Sequence, residues 1–411
     1  MKRALLATVT ALALTACGST APKPTAAPTS SPSASDSAAP EPTDEPTSDG
    51  TSTPTSTPSP GATGTTSSSA PAPAGTTASG PAPLRVGIVA ADRTSFEKLL
   101  SAQRTLGSRA VSATWVASCA ELTGVDLALV QGESCAGTSI PVLAAGPALG
   151  QLTPSLTSVS ALTVDDRVRL LLDRVLTPKT GSLGVVVESC LPNQQAVSKT
   201  VMPTAKQRGF TVAATASVPC GKAADAGRAA AALQAKKVAQ VVFVSGGDEA
   251  TLVRSFTKQA NATHFAPVYG ITSAAAPATL TDQRDRMVGV GWLPSLDTTA
   301  ATASVEINDC LRALRKAGAA APATPAQRFA DYGACDLIRL ADGVLRQTKG
   351  STDARAVRKA VTSIGRAFKA ANLYGSATDF RSRQTGPATG SVFAWSKGCS
   401  CFGYTGSAFA V

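Results

Sequence analysis

The sequence predicts an α/β fold of two lobes, each built on a parallel sheet. From Leu84 to Gly291, short apolar runs alternate with stretches whose apolar residues recur at helical spacing, the pattern of βαβ units. The region from Pro83 to Val411 runs to more than 300 residues, more than one hydrophobic core ordinarily supports. The residues ahead of it are too poor in large apolar side chains to add a core of their own.

The N-terminus reads as an export signal. Lys2 and Arg3 are followed by the apolar run Ala4 to Leu14, which is too short to span a bilayer, and then by Leu14-Thr15-Ala16-Cys17. Small residues ahead of that cysteine resemble the bacterial lipobox, in which the thiol receives diacylglycerol and becomes the new N-terminus. The alternative is an ordinary signal peptide with an incidental cysteine. From 18 to 83 the chain is dominated by Ser, Thr, Pro, Ala and Gly, with no aromatic residue. Such a stretch buries too little surface to offset its ordering entropy, and its prolines favour extended conformations, so it is expected to be a disordered tether. No other stretch is long and apolar enough for a membrane-spanning helix, which leaves the lipid on Cys17 as the expected anchor.

Charge narrows the partners. The formal net charge is +11, and it rises to about +13 for the region from Pro83 onward once the leader's two cations and the tether's net −4 are set aside. Outside a cell, with no basic cluster interleaved with aromatics, nucleic acid is not the expected partner. Anionic lipid, anionic wall polymer or an acidic ligand fits better. The basic residues from Asp353 to Lys369 read as a solvated helix face.

Eight cysteines follow Cys17, an even set that in an exported chain argues for disulfides. Neighbours in sequence nominate Cys119 with Cys135, Cys190 with Cys220, Cys310 with Cys335 and Cys399 with Cys401, although sequence alone does not fix the pairing. There is no Cys-x-x-Cys and the single histidine is His264, so no metal or other cofactor is expected.

Leu84 to Ala90 is the first expected strand. Thr94, with Glu97 three residues on, is expected to cap a helix carrying Phe96, Leu99 and Leu100 on one face. Leu127–Val130 and Ile140–Ala144 are short apolar runs. Thr163 opens a helix with the stripe Val168, Leu171, Leu172 and Val175. Strands are then expected at Leu183–Glu188, Thr211–Val218, Val241–Val244, Pro267–Gly270 and Met287–Gly291. Helices separate them at Gln195–Arg208, with a kink at Pro203, at Ala223–Lys237 and at Glu249–Gln259. Three longer helices follow near Thr299–Ala317, Ala326–Gln347 and Asp353–Ile364, and short strands at Phe393–Trp395 and Phe402–Tyr404 end the chain.

The order of Leu183-Gly-Val-Val-Val-Glu188, Val241-Val-Phe-Val244, Met287-Val-Gly-Val-Gly291, Tyr332-Gly-Ala-Cys-Asp336, Tyr374-Gly-Ser376 and Phe393-Ala-Trp395 resembles the type I periplasmic binding proteins. Within them it is most similar to the branched-chain amino-acid-binding lipoproteins of ABC transporters, and the residue usage suits a GC-rich actinobacterium. The resemblance implies two Rossmann-like lobes joined by three crossovers. The first lobe would comprise 84–179 and 292–375, and the second 180–291 and 376–411. It implies a monomeric, non-enzymatic, lipid-anchored protein outside the cell membrane that delivers an amino acid or similar small polar solute to an ABC permease.

Ligand contacts would come from loops at the carboxyl ends of strands. In the first lobe these are Ala91, Asp92, Arg93, Gly132, Glu133, Ser134, Ala145 and Gly146. In the second they are Ser189, Asn193, Ser245, Gly246, Asp248, Thr272, Ser273 and Trp292. Serine hydroxyls and loop amides would take a carboxylate, and Asp248 or Glu133 an ammonium. Each has a plainer reading as a cap, turn or core residue.

One departure from the family pattern bears on function. Gly132 to Ser139 runs almost directly into Ile140-Pro-Val142, leaving no room for the helix that normally follows that strand and helps hold the ligand. A binding fold used as a sensor or envelope scaffold is therefore the alternative. An extracellular hydrolase built on Gly132-Glu-Ser134-Cys-Ala136, with His264 as base, is a more distant one. The leader itself carries a direct test. Cys17→Ser is expected to move the protein from the detergent phase to the aqueous phase on detergent partitioning of expressing cells, whereas an incidental cysteine would leave the partition unchanged.

Overall fold

The computed structural model describes residues 82–90, 92–132, 135, 137–146, 148–149, 153–178, 181–246, 249–272, 283–298 and 303–411. Cys17 and the tether, together with Ala91, Glu133, Ser134, Asp248 and Ser273, lie outside the described residues. Among the described residues, no helix is long and apolar enough to cross a membrane.

The first sheet begins with β1 (Leu84–Val89), whose Leu84, Val86 and Ile88 are wholly buried. Helix α1 (Arg93–Gln103) follows, capped by Asp92, which accepts the Thr94 N–H at 3.1 Å. The cap is thus Asp92 and not Thr94, because an acceptor two residues ahead reaches the first free amide. Then come β2 (Thr105–Leu106), β3 (Arg109–Trp115), β4 (Leu127–Gln131), β5 (Val142–Ala145), β6 (Ala148–Leu149), β7 (Leu156–Ser158) and β8 (Leu162–Thr163). Strand β3 has no clear apolar signature because it is only partly buried. Strand β5 starts two residues after Ile140, since Pro141 has no N–H to give the ladder. The strand order is β2-β3-β1-β4-β5-β7, parallel except for the β2–β3 pair.

The second sheet opens after α2 (Val164–Arg174), capped by Thr163 as its sequence predicts. Next are β9 (Leu183–Glu188), α3 (Leu191–Ala196), α4 (Met202–Gln207), β10 (Val212–Val218), α5 (Gly227–Ala235), β11 (Gln240–Val244), α6 (Glu249–Ala262), β12 (Val268–Ile271) and β13 (Met287–Gly291). Between α3 and α4, residues Val197–Val201 form a π-turn. Pro203 cannot donate to Lys199 and its ring crowds that carbonyl, so the distortion falls upstream of the proline rather than at it. The sequence places this helix's start at Gln195, but Pro192 initiates it four residues earlier.

The remaining elements are α7 (Pro294–Asp297), α8 (Val305–Lys316), α9 (Pro325–Gln347), α10 (Ala354–Ile364), β14 (Thr389–Ser396), β15 (Cys401–Tyr404) and β16 (Phe409–Ala410). Thr324 and Gln327 form a reciprocal capping box at the start of α9. Helix α9 packs on β4 and β5 of the first sheet, while β14 and β15 add antiparallel strands beyond β13 of the second. The second sheet therefore runs β10-β9-β11-β12-β13-β14-β15. Helix α2 packs against β11 and β13 of this sheet. All four disulfides join the nominated pairs.

The chain passes between the sheets three times, and the passages are laced together. The backbone N–H of Ser158 donates to Gln384 O, and that of Gly386 to Ser158 O at 2.7 Å. The Trp292 indole donates to Ser160 O at 2.7 Å, and the Tyr374 N–H to Trp292 O at 2.9 Å. Asp297 closes the second passage, accepting from the Leu293 N–H and from the Tyr404 hydroxyl, and burial pushes its carboxyl well above the usual range. A Cβ on Gly386 would fall 2.1 Å from the Val159 carbonyl oxygen, so only glycine lets these backbones lie this close.

Asp336 of α9 anchors the run into the third passage, accepting the Ala371 and Asn372 N–H groups at 2.7 and 3.0 Å. Full burial nonetheless raises its pKa to about 7. A carboxyl raised in the folded state holds its proton more tightly there than in the unfolded chain. Its contribution is thus complete below about pH 4 and is lost as pH rises toward 7. Between those pH values the protein is expected to lose stability on the order of 4 kcal/mol relative to Asp336→Asn, read from denaturant midpoints across pH.

Candidate functional site

Both sheets place their first strand between the next two parallel strands of the chain: β3-β1-β4 and β10-β9-β11. Successive crossovers therefore depart in opposite directions at β1/β4 and at β9/β11, and a crevice opens at the carboxyl ends of these strands. In the second lobe the crevice holds a cavity of about 520 Å³. Glu188 at the end of β9, Asn193 on α3, Gly246 after β11, and Lys222 and Asp225 after β10 line it. The Cys190–Cys220 disulfide borders it and ties the start of α3 to the end of β10.

Two groups in this cavity are chemically unusual. The Glu188 side chain is buried and accepts the Ser245 hydroxyl. Asn193 is only 1% exposed, yet among the described residues neither its Oδ1 nor its Nδ2 has a hydrogen-bond partner. A buried amide without partners costs roughly 1–3 kcal/mol, which a polar ligand seated against it would relieve. Gly246 allows the approach, for a Cβ there would meet Asn193 Oδ1 at 3.1 Å.

A buried ion pair holds Ser245, the residue before Gly246. Arg167 on α2 and Glu249 at the start of α6 meet at 3.2 Å, with side-chain exposures of 5% and 8%. The guanidinium also donates to Ser245 O and to Thr272 Oγ at 3.5 Å, while Glu249 accepts the Thr272 N–H at 2.6 Å. Desolvation lowers the Arg167 pKa, and Glu249 opposes that shift. One charge pair thus fixes the loops that leave β11 and β12.

The nominated residues take distinct places. Asn193 and Gly246 line the cavity. Ser245 serves Glu188, and the backbone of Ser189 continues the β9–β10 ladder by donating to Val218 O. Thr272 satisfies Glu249, and Trp292 is a core residue at the second passage. In the first lobe Asp92 caps α1, while exposed Arg93 pairs with Glu97 and stacks over Trp115 at 4.9 Å. Ala145 is buried in β5, and Gly146 exchanges hydrogen bonds with the Ser160 hydroxyl. Gly132 donates its N–H to Ala145 O and leads into the short passage to β5, where the described residues form no helix. His264 is exposed in the turn after α6. Among the described residues, no group of three or more potential metal ligands gathers.

Sequence reasoning passed over Glu188 as a strand end and did not single out Arg167. The second had a signal: it stands three residues after Val164 and four before Leu171, a charge on the apolar stripe.

Two lobes with parallel sheets, three laced crossovers and a crevice at the carboxyl ends of the strands define the type I periplasmic-binding fold. No family model matches the sequence, and no curated protein matches it. Solved structures do. A solute-binding protein of an R. palustris ABC transporter, in complex with 4-hydroxybenzoate, is 12% identical with a TM-score of 0.60, covering 80% of this chain and 97% of its own. A type 1 periplasmic binding protein from Bordetella pertussis is 14% identical with a TM-score of 0.57, over 80% and 100%. A fatty acid ABC transporter substrate-binding protein from Thermomonospora curvata is 12% identical with a TM-score of 0.58, over 80% and 93%. Such identities establish the fold and leave the ligand to the chemistry of the site.

Removing one partner of the buried pair strands the other. Arg167→Met is expected to cost roughly 3–5 kcal/mol in chemical denaturation, and the Arg167→Met, Glu249→Gln double variant to recover part of that loss.

Proposed function

We propose that this chain is a lipid-anchored, extracytoplasmic solute-binding protein that delivers a small polar solute with a cationic amino group to an ABC importer. An amino acid or a similar amine fits this description. The observation that carries the reading is the cavity at the β9/β11 switch point, where the buried Glu188 carboxylate and the unpartnered Asn193 amide face the same space. A buried carboxylate with one hydroxyl partner recruits a cation, and the amide oxygen beside it accepts from the same ammonium. The fold supports the reading, since the similar solved structures are substrate-binding proteins of ABC transporters. Their named ligands, 4-hydroxybenzoate and fatty acid, belong to those proteins.

Capture is hinge closure. The lobes, proposed to divide at 179/180, 291/292 and 375/376, pivot on the three passages, and ligand contacts from both sides stabilise the closed state. The anchor is Cys17, the protein acts as a monomer, and no catalytic step is assigned to it. The second reading, a sensor or envelope scaffold without transport, is favoured by one observation: the β4–β5 connection shows no helix among its described residues.

The test is a thermal-shift screen of the purified full-length chain against amino acids, amines, sugars, nucleosides and anions. Saturable stabilisation by amino compounds is expected. Glu188→Gln is expected to weaken that binding roughly 10- to 100-fold, the value of one charge-assisted hydrogen bond. Stabilisation by anions or neutral solutes alone overturns the amine assignment. A folded protein that responds to nothing favours the scaffold.

A further inference from the structure

A second concavity, of about 350 Å³, lies on the first lobe where α10 meets the third passage. Its floor is apolar, formed by the buried Val361 and Phe380. Three arginines line it: Arg358 from α10, and Arg381 and Arg383 from the passage between α10 and β14. Thr362, one helical turn after Arg358, adds a hydroxyl to the same wall.

Two of these cations lack the carboxylates that would make them a structural network. Among the described residues, neither Arg358 nor Arg381 forms an ion pair. The carboxylate carried by the same passage, Asp379, is committed to Arg366 at 2.7 Å and accepts the Arg381 backbone N–H at 3.2 Å. Arg383 donates to a main-chain oxygen of Val411, the last residue of the sequence, and is partly committed by that contact. A purely solvated basic face would spread its charges along a convex helix. Here arginines from two separate segments border one hollow, and their like charges favour an anion beside them.

We propose that this hollow binds a phosphoryl group. Three planar donor forks exceed what the two oxygens of one carboxylate can accept, whereas a phosphoryl group offers more oxygens and up to two charges. The site joins the first lobe's α10 to the passage that pairs with β7 at Ser158–Thr385. Its occupant therefore grips a hinge strand, away from the cavity beside Glu188. The phosphoryl group has two available sources, free phosphate and an anionic lipid headgroup, and the net positive charge of the folded region suits either.

The test compares the full-length chain, carrying Cys17→Ser to remove the acyl group, with the same chain bearing Arg358→Gln and Arg381→Gln. Both arginines are exposed, so the pair is not expected to disturb folding, which circular dichroism checks. Inorganic phosphate is titrated at constant ionic strength, and sedimentation is measured with phosphatidylcholine vesicles with and without phosphatidylglycerol. Expected is saturable binding in at least one arm, weakened about tenfold or more in the double variant. Binding of phosphate without vesicle retention identifies a soluble source. Retention that depends on phosphatidylglycerol identifies a lipid. Absence of binding in both arms, or equal binding by the folded double variant, overturns the proposal.

Discussion

The buried guanidinium of Arg167 is the constraint on which the binding edge of the second lobe depends. A charge without water is costly, and it is tolerated because one long side chain reaches Glu249, Thr272 and the Ser245 carbonyl together. Those partners sit on α6, the loop after β12 and the loop after β11. The helix that supplies the arginine leads in from the first crossover. Loops that would otherwise move independently are thus held as one rim, and Ser245, held by its backbone, can direct its hydroxyl to Glu188. The resulting cavity has one wall fixed by a disulfide and another fixed by an ion pair.

The hinge is built differently, from backbone rather than charge. Ser158, Trp292, Tyr374 and Gly386 join the three passages through main-chain hydrogen bonds and one indole donor, with glycine allowing the closest approach. Main-chain bonds of this kind accommodate small rotations while keeping the passages together. The covalent staples lie within the proposed lobes, two in each, so they stiffen the bodies that the proposed closure would move.

The fold was legible because its strands are nearly all apolar and its helices carry stripes: Leu183–Glu188, Met287–Gly291 and α2 read directly from spacing. What escaped was local or long-range in origin. Strand β3 is half-exposed and lacks a clean period, and the N-cap of α1 shifted because Asp92 outcompetes Thr94 geometrically. The site was legible only in part. Rules about carboxyl ends of strands found Asn193 and Gly246, which line the cavity, but also Thr272 and Trp292, whose side chains are used up by Glu249 and the hinge. Glu188 hid inside an apolar strand, and no local pattern could pair Arg167 with a carboxylate 82 residues away.

Amine capture beside Glu188 is tested most sharply by a crystal structure of the protein grown with a mixture of amino acids and small amines. Density is expected in the crevice with an ammonium nitrogen within hydrogen-bonding distance of both the Glu188 carboxylate and Asn193 Oδ1, and the lobes closed over it. A ligand seated elsewhere, or an anion between Glu188 and Asn193, would contradict it.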